Sequence, residues 1–408
     1  MGIEGRTGAS ARARRVVYAL VAGAAVVALA FALTSPLIDA QVYRGGVEVW
    51  LSGQDVYRAS IPTSGVNLPF TYPPFAMFPL LVLFTPPLYV GAALLTLLGV
   101  AALFAACLLV ARRLDVDPGR ALLVAAGATL VGTLSEPLRG TLQFGQINLL
   151  LLGLVAVDCL SKNPRWPRGV LIGVAAAIKL TPAGFLLFFA ARRQWRPVFA
   201  GIASFAVCTG LAWAVMPSGS TDFWFRAVLD PSRVGGLAYA GNQSLRGVLE
   251  RFDLPGSTGK LLWLVLAAVV VVVAALVAHR TREDEHGEVT AWFAVAAAAL
   301  LISPVSWDHH WVYAVPFVLA LGYWAAAHRQ RLWAPVLAGA LFLFGLHWLL
   351  PREQERERQW ALWQHLPGDS FVLVALVGLG VAFVMAHRRR PASRPAVGEN
   401  PEPALTAP

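Results

Sequence analysis

The chain has 408 residues, 57% of them hydrophobic and only 14% charged, with a net charge of +10. A water-soluble chain of this length carries roughly a quarter charged residues, so a soluble enzyme, a disordered chain and a small disulfide scaffold are excluded. Apolar runs of the ~20 residues that cross a bilayer recur from Val16 to Met385, which makes the chain a polytopic membrane protein and, away from a closed barrel, all-α.

In chain order, residues 1–15 form a basic arm containing Arg12, Arg14 and Arg15. The apolar run that follows to Leu37 reads as an uncleaved first span, since it is long and many more follow it. Further spans are expected at 88–111, 120–136, 146–160, 197–216, 260–279, 289–304, 308–327, 333–350 and 370–387. Two apolar stretches are unlike the rest: 73–86 is short and Pro-rich, and 169–191 is interrupted by Lys179 and Pro182. Such segments read as re-entrant or half-length helices lining a cavity. The expected transmembrane domain is thus 16–387, with about 10–12 membrane segments, and the Pro/Ala-rich tail 388–408 is expected to be disordered.

With the N-terminus in the cytoplasm, 21 of the 33 Lys and Arg and 10 of the 23 acids fall inside, leaving +11 inside and −1 outside. This alternation follows the positive-inside rule and places both termini in the cytoplasm. The basic surplus is therefore a topology signal and not a nucleic-acid footprint. Three long loops are then outside: 38–72, 217–259 and 351–369. In the first, Tyr43, Val47 and Trp50/Leu51 have the spacing of an amphipathic helix lying on the membrane. In the last, Trp360 and Trp363 are expected as interfacial anchors. Cys107, Cys159 and Cys208 lie singly in apolar runs and read as buried thiols.

Polar groups at membrane depth are costly and mark function. Here they gather at the outer helix ends: Asp39, Tyr43 and Arg44; Tyr72; Glu136; Gln146 and Asn148; Lys179; Asn242, Gln243 and Arg246; and Trp307, Asp308, His309 and His310. Asp39, where the chain leaves the first span, suits a general base or a helix-end aspartate. Asp55, in a turn-like stretch, reads as the latter kind. Lys179 needs an anion, either an acid such as Glu136 or a ligand phosphate. Arg246 fits an anion-binding loop or a solvated one. Adjacent His309 and His310 point ~100° apart on a helix and share one ion poorly, unlike an i, i+4 pair, so no metal is expected. His347 and His365 read as interfacial. No P-loop or nucleotide fold is present, so an outward-facing transferase would take its donor from a lipid.

DAQVYRGG from Asp39, FTYPPFA from Phe70, FGQINLLLLGLVAVD from Phe144, IKLTPAGFLL from Ile178, GNQSLRG from Gly241 and SPVSWDHHW from Ser303 together resemble the polyprenol-phosphate-mannose-dependent α-(1→2)-mannosyltransferases of glycosyltransferase family 87. The resemblance implies a glycosyltransferase C (GT-C) fold. It implies a polyprenyl-phosphate mannose donor and a mannosylated glycolipid acceptor, a phosphatidylinositol mannoside or lipomannan, at the outer face of the plasma membrane, with no cofactor. It also implies that Asp39 is the catalytic base and that Lys179, Arg246, His309 and His310 hold the donor phosphate. Tyr43, Arg44, Tyr72, Glu136, Gln146, Asn148, Asn242, Gln243, Trp307 and Asp308 would line the substrate site, with Tyr72, Trp307 and Trp311 as stacking candidates. A GT-C enzyme using polyprenyl-phosphate arabinose, and a lipid flippase, are the alternatives.

Overall fold

The computed structural model describes residues 4–388 except 231, 232, 234, 255, 331 and 353; the expected disordered tail lies outside the described residues beyond 388. The chain is a helical bundle. Helix α1 (Glu4–Leu33) carries the first apolar run, and α2 (Ile38–Leu51) follows after a turn in which Leu37 adopts a left-handed φ of 55°. α2 follows the expected amphipathic pattern at Tyr43 and Val47, which are buried, and at Trp50, which packs on the core, but Leu51 is exposed. A hairpin of β1 (Ser60–Pro62) and β2 (Asn67–Pro69), with Ile61 opposite Leu68, caps it. Asp55 accepts a hydrogen bond from the Tyr57 N–H, a local turn contact. Arg58 meets Asp222 at 2.6 Å and holds that carboxyl well below the usual range, tying the first outer loop to the second.

The Pro-rich stretch yields α3 (Met77–Phe84), and α4 (Leu88–Arg113) is a full-length span. α5 (Pro118–Gly132) is capped by Asp117 and bends by 69° into α6 (Glu136–Phe144), so the expected 120–136 span is broken at 133–135. Pro137 in the first turn of α6 suits a helix start. α7 (Asn148–Leu160) has 13 residues, and α8 (Val170–Ile178) and α9 (Leu186–Ala191) flank the break at Lys179 and Pro182. α10 (Trp195–Val215) and α13 (Gly256–Arg280) are long spans; between them lie α11 (Pro217–Phe225) and α12 (Leu245–Arg251). α14 (Gly287–Ile302), α15 (Ala314–Ala327), α16 (Trp333–Phe344), α17 (His365–Gly368) and α18 (Ser370–Arg388) complete the chain.

Among the described residues, five helices are long and apolar enough to cross a membrane, α1, α4, α10, α13 and α18, with the bent α5–α6 pair as a possible sixth. Six more are apolar but shorter. At ~1.5 Å per residue, 13 residues span ~20 Å of a ~30 Å hydrocarbon core. The short helices stop where polar residues begin. α15 starts at Ala314 rather than 308, because 308–310 is a separate 3-10 turn. Apolar residues such as Phe199, Val207 and Leu211 on α10 and Leu261, Val265 and Val272 on α13 face outward, as lipid contact requires. The three cysteines are buried and unpaired.

Candidate active site

Asp39 occupies the first turn of α2. Its position follows from packing one corner onto another: the Leu37 N–H donates to the Gln143 carbonyl at 3.1 Å, and Leu37 is fully buried. Gly145 (φ +69°) ends α6 beneath it, and a Cβ there would come within 2.7 Å of Ala40 Cβ. The next turn brings in Gln146, whose side chain hydrogen-bonds Asp39. Its Oε1 accepts from the hydroxyls of Tyr72 (2.9 Å) and Tyr43 (3.2 Å), which bond each other at 2.7 Å. Burial pushes the Asp39 carboxyl above the usual range; the nearby His309, the Gln146 hydrogen bond and the Lys179 charge pull it only part of the way back.

Lys179 stands at the break after α8, in extended backbone. Its Nζ donates to Asn148 Oδ1 at 2.9 Å, lies 3.2 Å from His310 Nε2, and is 5.3 Å from the Tyr72 ring centroid. The alternative pairing with Glu136 is not what the fold does: Glu136 Oε1 accepts from Trp348 Nε1 at 2.9 Å, and Glu136 faces Asp308. The 308–310 turn is pinned from both sides. The His309 carbonyl accepts from Asn148 Nδ2 (2.9 Å) and Thr141 Oγ1 (2.7 Å). The Asp308 N–H donates to the Gly241 carbonyl at 2.8 Å. A cleft opens beside Lys179, Asn148 and His310, with Leu151, Phe185 and Tyr313 among its apolar walls.

The structure thus joins Asp39, Tyr43, Tyr72, Gln146, Asn148, Lys179, Asp308, His309, His310 and Glu136 in one network. Other expected site residues have other partners. Asn242 and Gln243 are fully buried and hold backbone: Asn242 bonds Leu237, Pro304 and Ser306, and Gln243 bonds Ala240 and Gly368. Their loop is a staple behind the 308–310 turn. Arg246 pairs with Glu250 and lies over Trp263. Arg44 pairs with Glu48 at 2.8 Å and donates to the Pro86 carbonyl. Trp307 is partly exposed beside Tyr239, whereas Trp311 is buried against Phe342 and Phe371.

Other residues also differ from expectation or were missed. Trp360 is buried, donates to the Pro351 carbonyl and lies against Arg251, so it is loop core; Trp363 is exposed as an anchor would be. Thr141 carried no signal in its helix. His347, expected at the interface, is fully buried beside Asp308.

A membrane helical bundle with a buried carboxylate near a lysine-lined, apolar-walled cleft has the makings of a transferase that works on lipid-borne substrates. Residues 70–304 match the model of glycosyltransferase family 87. The chain is 35% identical over 402 residues to a polyprenol-phosphate-mannose-dependent alpha-(1-2)-phosphatidylinositol mannoside mannosyltransferase of Mycobacterium tuberculosis, covering 90% of this chain and 91% of that one. It is 32% identical over 394 residues to a polyprenol-phosphate-mannose-dependent alpha-(1-2)-phosphatidylinositol pentamannoside mannosyltransferase of Mycolicibacterium smegmatis, covering 92% and 93%. Among solved structures it is similar to ArnT from Cupriavidus metallidurans bound to undecaprenyl phosphate, with a TM-score of 0.47 and 18% identity, covering 91% of this chain and 74% of that one. The chain belongs to glycosyltransferase family 87 and is a membrane glycosyltransferase.

Proposed function

We propose that this chain is an inverting GT-C mannosyltransferase that moves mannose from polyprenyl-phosphate mannose to the 2-hydroxyl of a mannosylated phosphatidylinositol. The observation that carries this reading is Asp39 near enough to Lys179 for their charges to interact, with Lys179, Asn148 and His310 together lining an apolar-sided cleft. Asp39 takes the proton of the acceptor hydroxyl as its oxygen attacks the anomeric carbon, and the bond to the donor phosphate breaks. The leaving phosphate is a weak base and needs a cation rather than a general acid; Lys179 supplies the charge, with His310 beside it as a hydrogen-bonding neighbour. A β-linked donor inverted once gives an α product. The transfer step uses no cofactor and no added divalent ion. The names of two relatives, a phosphatidylinositol mannoside mannosyltransferase and a pentamannoside mannosyltransferase, support the donor and the acceptor class.

In this reading both termini are cytoplasmic and the Asp39 end faces the cell exterior, as the Lys/Arg distribution favours. A reporter fused after Pro408 is then active only in the cytoplasm.

The arabinose alternative has one observation behind it: 27% identity over 160 residues, 39% of this chain, to an Alpha-(1->3)-arabinofuranosyltransferase of Corynebacterium glutamicum. Membranes containing the protein, given radiolabelled polyprenyl-phosphate mannose or polyprenyl-phosphate arabinose with a phosphatidylinositol mannoside, decide between the two. Mannose transfer to an α-(1→2) product is expected; transfer from the arabinose donor alone would overturn the reading.

A further inference from the structure

Glu136, Asp308 and His347 come from three separate segments: the first turn of α6, the 308–310 turn, and the 346–349 turn after α16. Each is buried, at 5%, 3% and 0% exposure respectively. One ligand-type atom from each lies within 4.8 Å of the other two, and His347 Nε2 is 3.5 Å from Asp308 Oδ2. Gly345 makes the meeting possible. It ends α16 at φ +57°, and a Cβ there would lie 2.4 Å from Glu136 Cγ.

The hydrogen bonds divide each carboxylate in two. Glu136 Oε1 accepts from Trp348 Nε1, while Oε2 has no partner. Asp308 Oδ1 accepts from the His309 N–H at 2.8 Å, and Oδ2 faces His347. Neither ring nitrogen of His347 has a hydrogen-bond partner. An unpartnered oxygen on one buried acid, beside a second buried acid and an imidazole with no hydrogen-bond partner, is costly unless a cation or a shared proton joins them. A carboxylate oriented through its outer oxygen, as Glu136 is by Trp348, is prepared to offer its inner one to a metal.

We propose that Glu136, Asp308 and His347 form a buried binding site for one divalent transition ion, zinc by the donor set of two carboxylates and one imidazole. Metal bonds of ~2.0–2.2 Å put neighbouring ligand atoms about 3.3 Å apart, close to the observed His347–Asp308 separation. The ion clips α6 and the turn after α16 to the turn that carries His309 and His310. None of its three ligands hydrogen-bonds Asp39 or Lys179 among the described residues; the ion would reach the transfer site only through the turn it clips, and the proposal does not depend on which sugar is moved. In the sequence Glu136, Asp308 and His347 lie far apart, so no local spacing marks them as ligands.

The test is the metal content of the full-length protein, purified without chelator from zinc-supplemented cells and measured by plasma mass spectrometry. About one zinc per chain is expected, falling at least ~10-fold in Glu136→Gln and His347→Gln. Should those variants fail to fold, the wild-type protein still decides. A strong chelator is expected to lower its Tm, and zinc to restore it, because an ion that binds only the folded state stabilises it. Wild-type protein without stoichiometric zinc and with a Tm indifferent to zinc overturns the proposal, leaving two acids that share a proton. Zinc retained by both variants overturns the ligand assignment.

Discussion

Near the C-terminal end of α7, Asp158 accepts hydrogen bonds from the Gly169 and Ile172 N–H groups at 2.9 and 3.0 Å and from Trp166 at 3.2 Å. Beside it Glu288 meets Arg113 at 2.7 Å and Arg168 at 3.6 Å, and both arginines also donate to carbonyls at the end of α7. At the other end of the same helix, Asn148 holds Lys179, which has a histidine and an amide for neighbours, and Asp39 has a glutamine. One end neutralises its charges internally. The other keeps an acid and a base separate, which is costly unless a substrate completes the site. Paired charges mark structure and unpaired ones mark chemistry, and each prediction below tests that contrast along α7.

The largest effect is expected at Asp39. Asp39→Asn should cut transfer by at least ~100-fold, the lower bound for a general base, with protein level and melting unchanged; near-wild-type transfer at matched levels would remove Asp39 from the mechanism. The wild-type pH profile carries the sign. A base works ionised, and burial raises the Asp39 pKa, so kcat/KM should fall with acidification at a pH above the usual carboxylate range. A limb at an ordinary carboxylate pKa would mean the carboxyl is solvated when it acts. Lys179→Ala should lower kcat/KM by about 10- to 100-fold through loss of charge-assisted contact with the donor phosphate, and should move the acid limb of the profile upward, because Lys179 favours ionised Asp39.

At the other end of α7 the expectation inverts. Glu288→Gln should destabilise the detergent-solubilised protein by about 1–2 kcal/mol, since the pair is mostly but not fully buried. The activity of the fraction that stays folded should be unchanged. A fall in kcat without a change in melting would erase the distinction between the two ends.

What could be read in the sequence follows the same division. Asp39 and Lys179 stood out because a lone charge beside an apolar run is conspicuous whatever its partners. The breaks at Pro182 and near Pro73 were visible for the same reason. Helix length was not: 146–160 reads as one span, yet α7 starts only at Asn148 and Gln146 lies in the turn before it. Asn242 and Gln243 looked like ligand side chains because composition shows polarity and not its target; in the fold they bond backbone. Arg113, Arg168 and Glu288 carry no local sign of one another, because nothing in the sequence near them brings α4, the end of α7 and α14 together. Trp360 looked interfacial among Glu and Arg, but the buried Arg251–Asp369 pair at 2.7 Å draws the loop closed around it.

Tyr72 offers the finest test of the contrast. Its hydroxyl donates to Gln146 Oε1, and Gln146 in turn bonds Asp39, so Tyr72 acts on the base through one intermediary. Tyr72→Phe keeps the ring over Lys179, 5.3 Å from Nζ, and deletes only the hydroxyl. Gln146 Oε1 still has Tyr43, so the amide keeps an orienting partner and no buried acceptor is stranded. One neutral hydrogen bond is worth about 1 kcal/mol, which corresponds to about a fivefold fall in kcat if all of it serves to aim Asp39. KM for the lipid donor should move little, because the cation facing the phosphate is untouched. A Tyr72→Phe enzyme with unchanged kcat and a raised donor KM would place Tyr72 against the donor instead, and the orientation of Asp39 would then rest on Gln146 and Tyr43 alone.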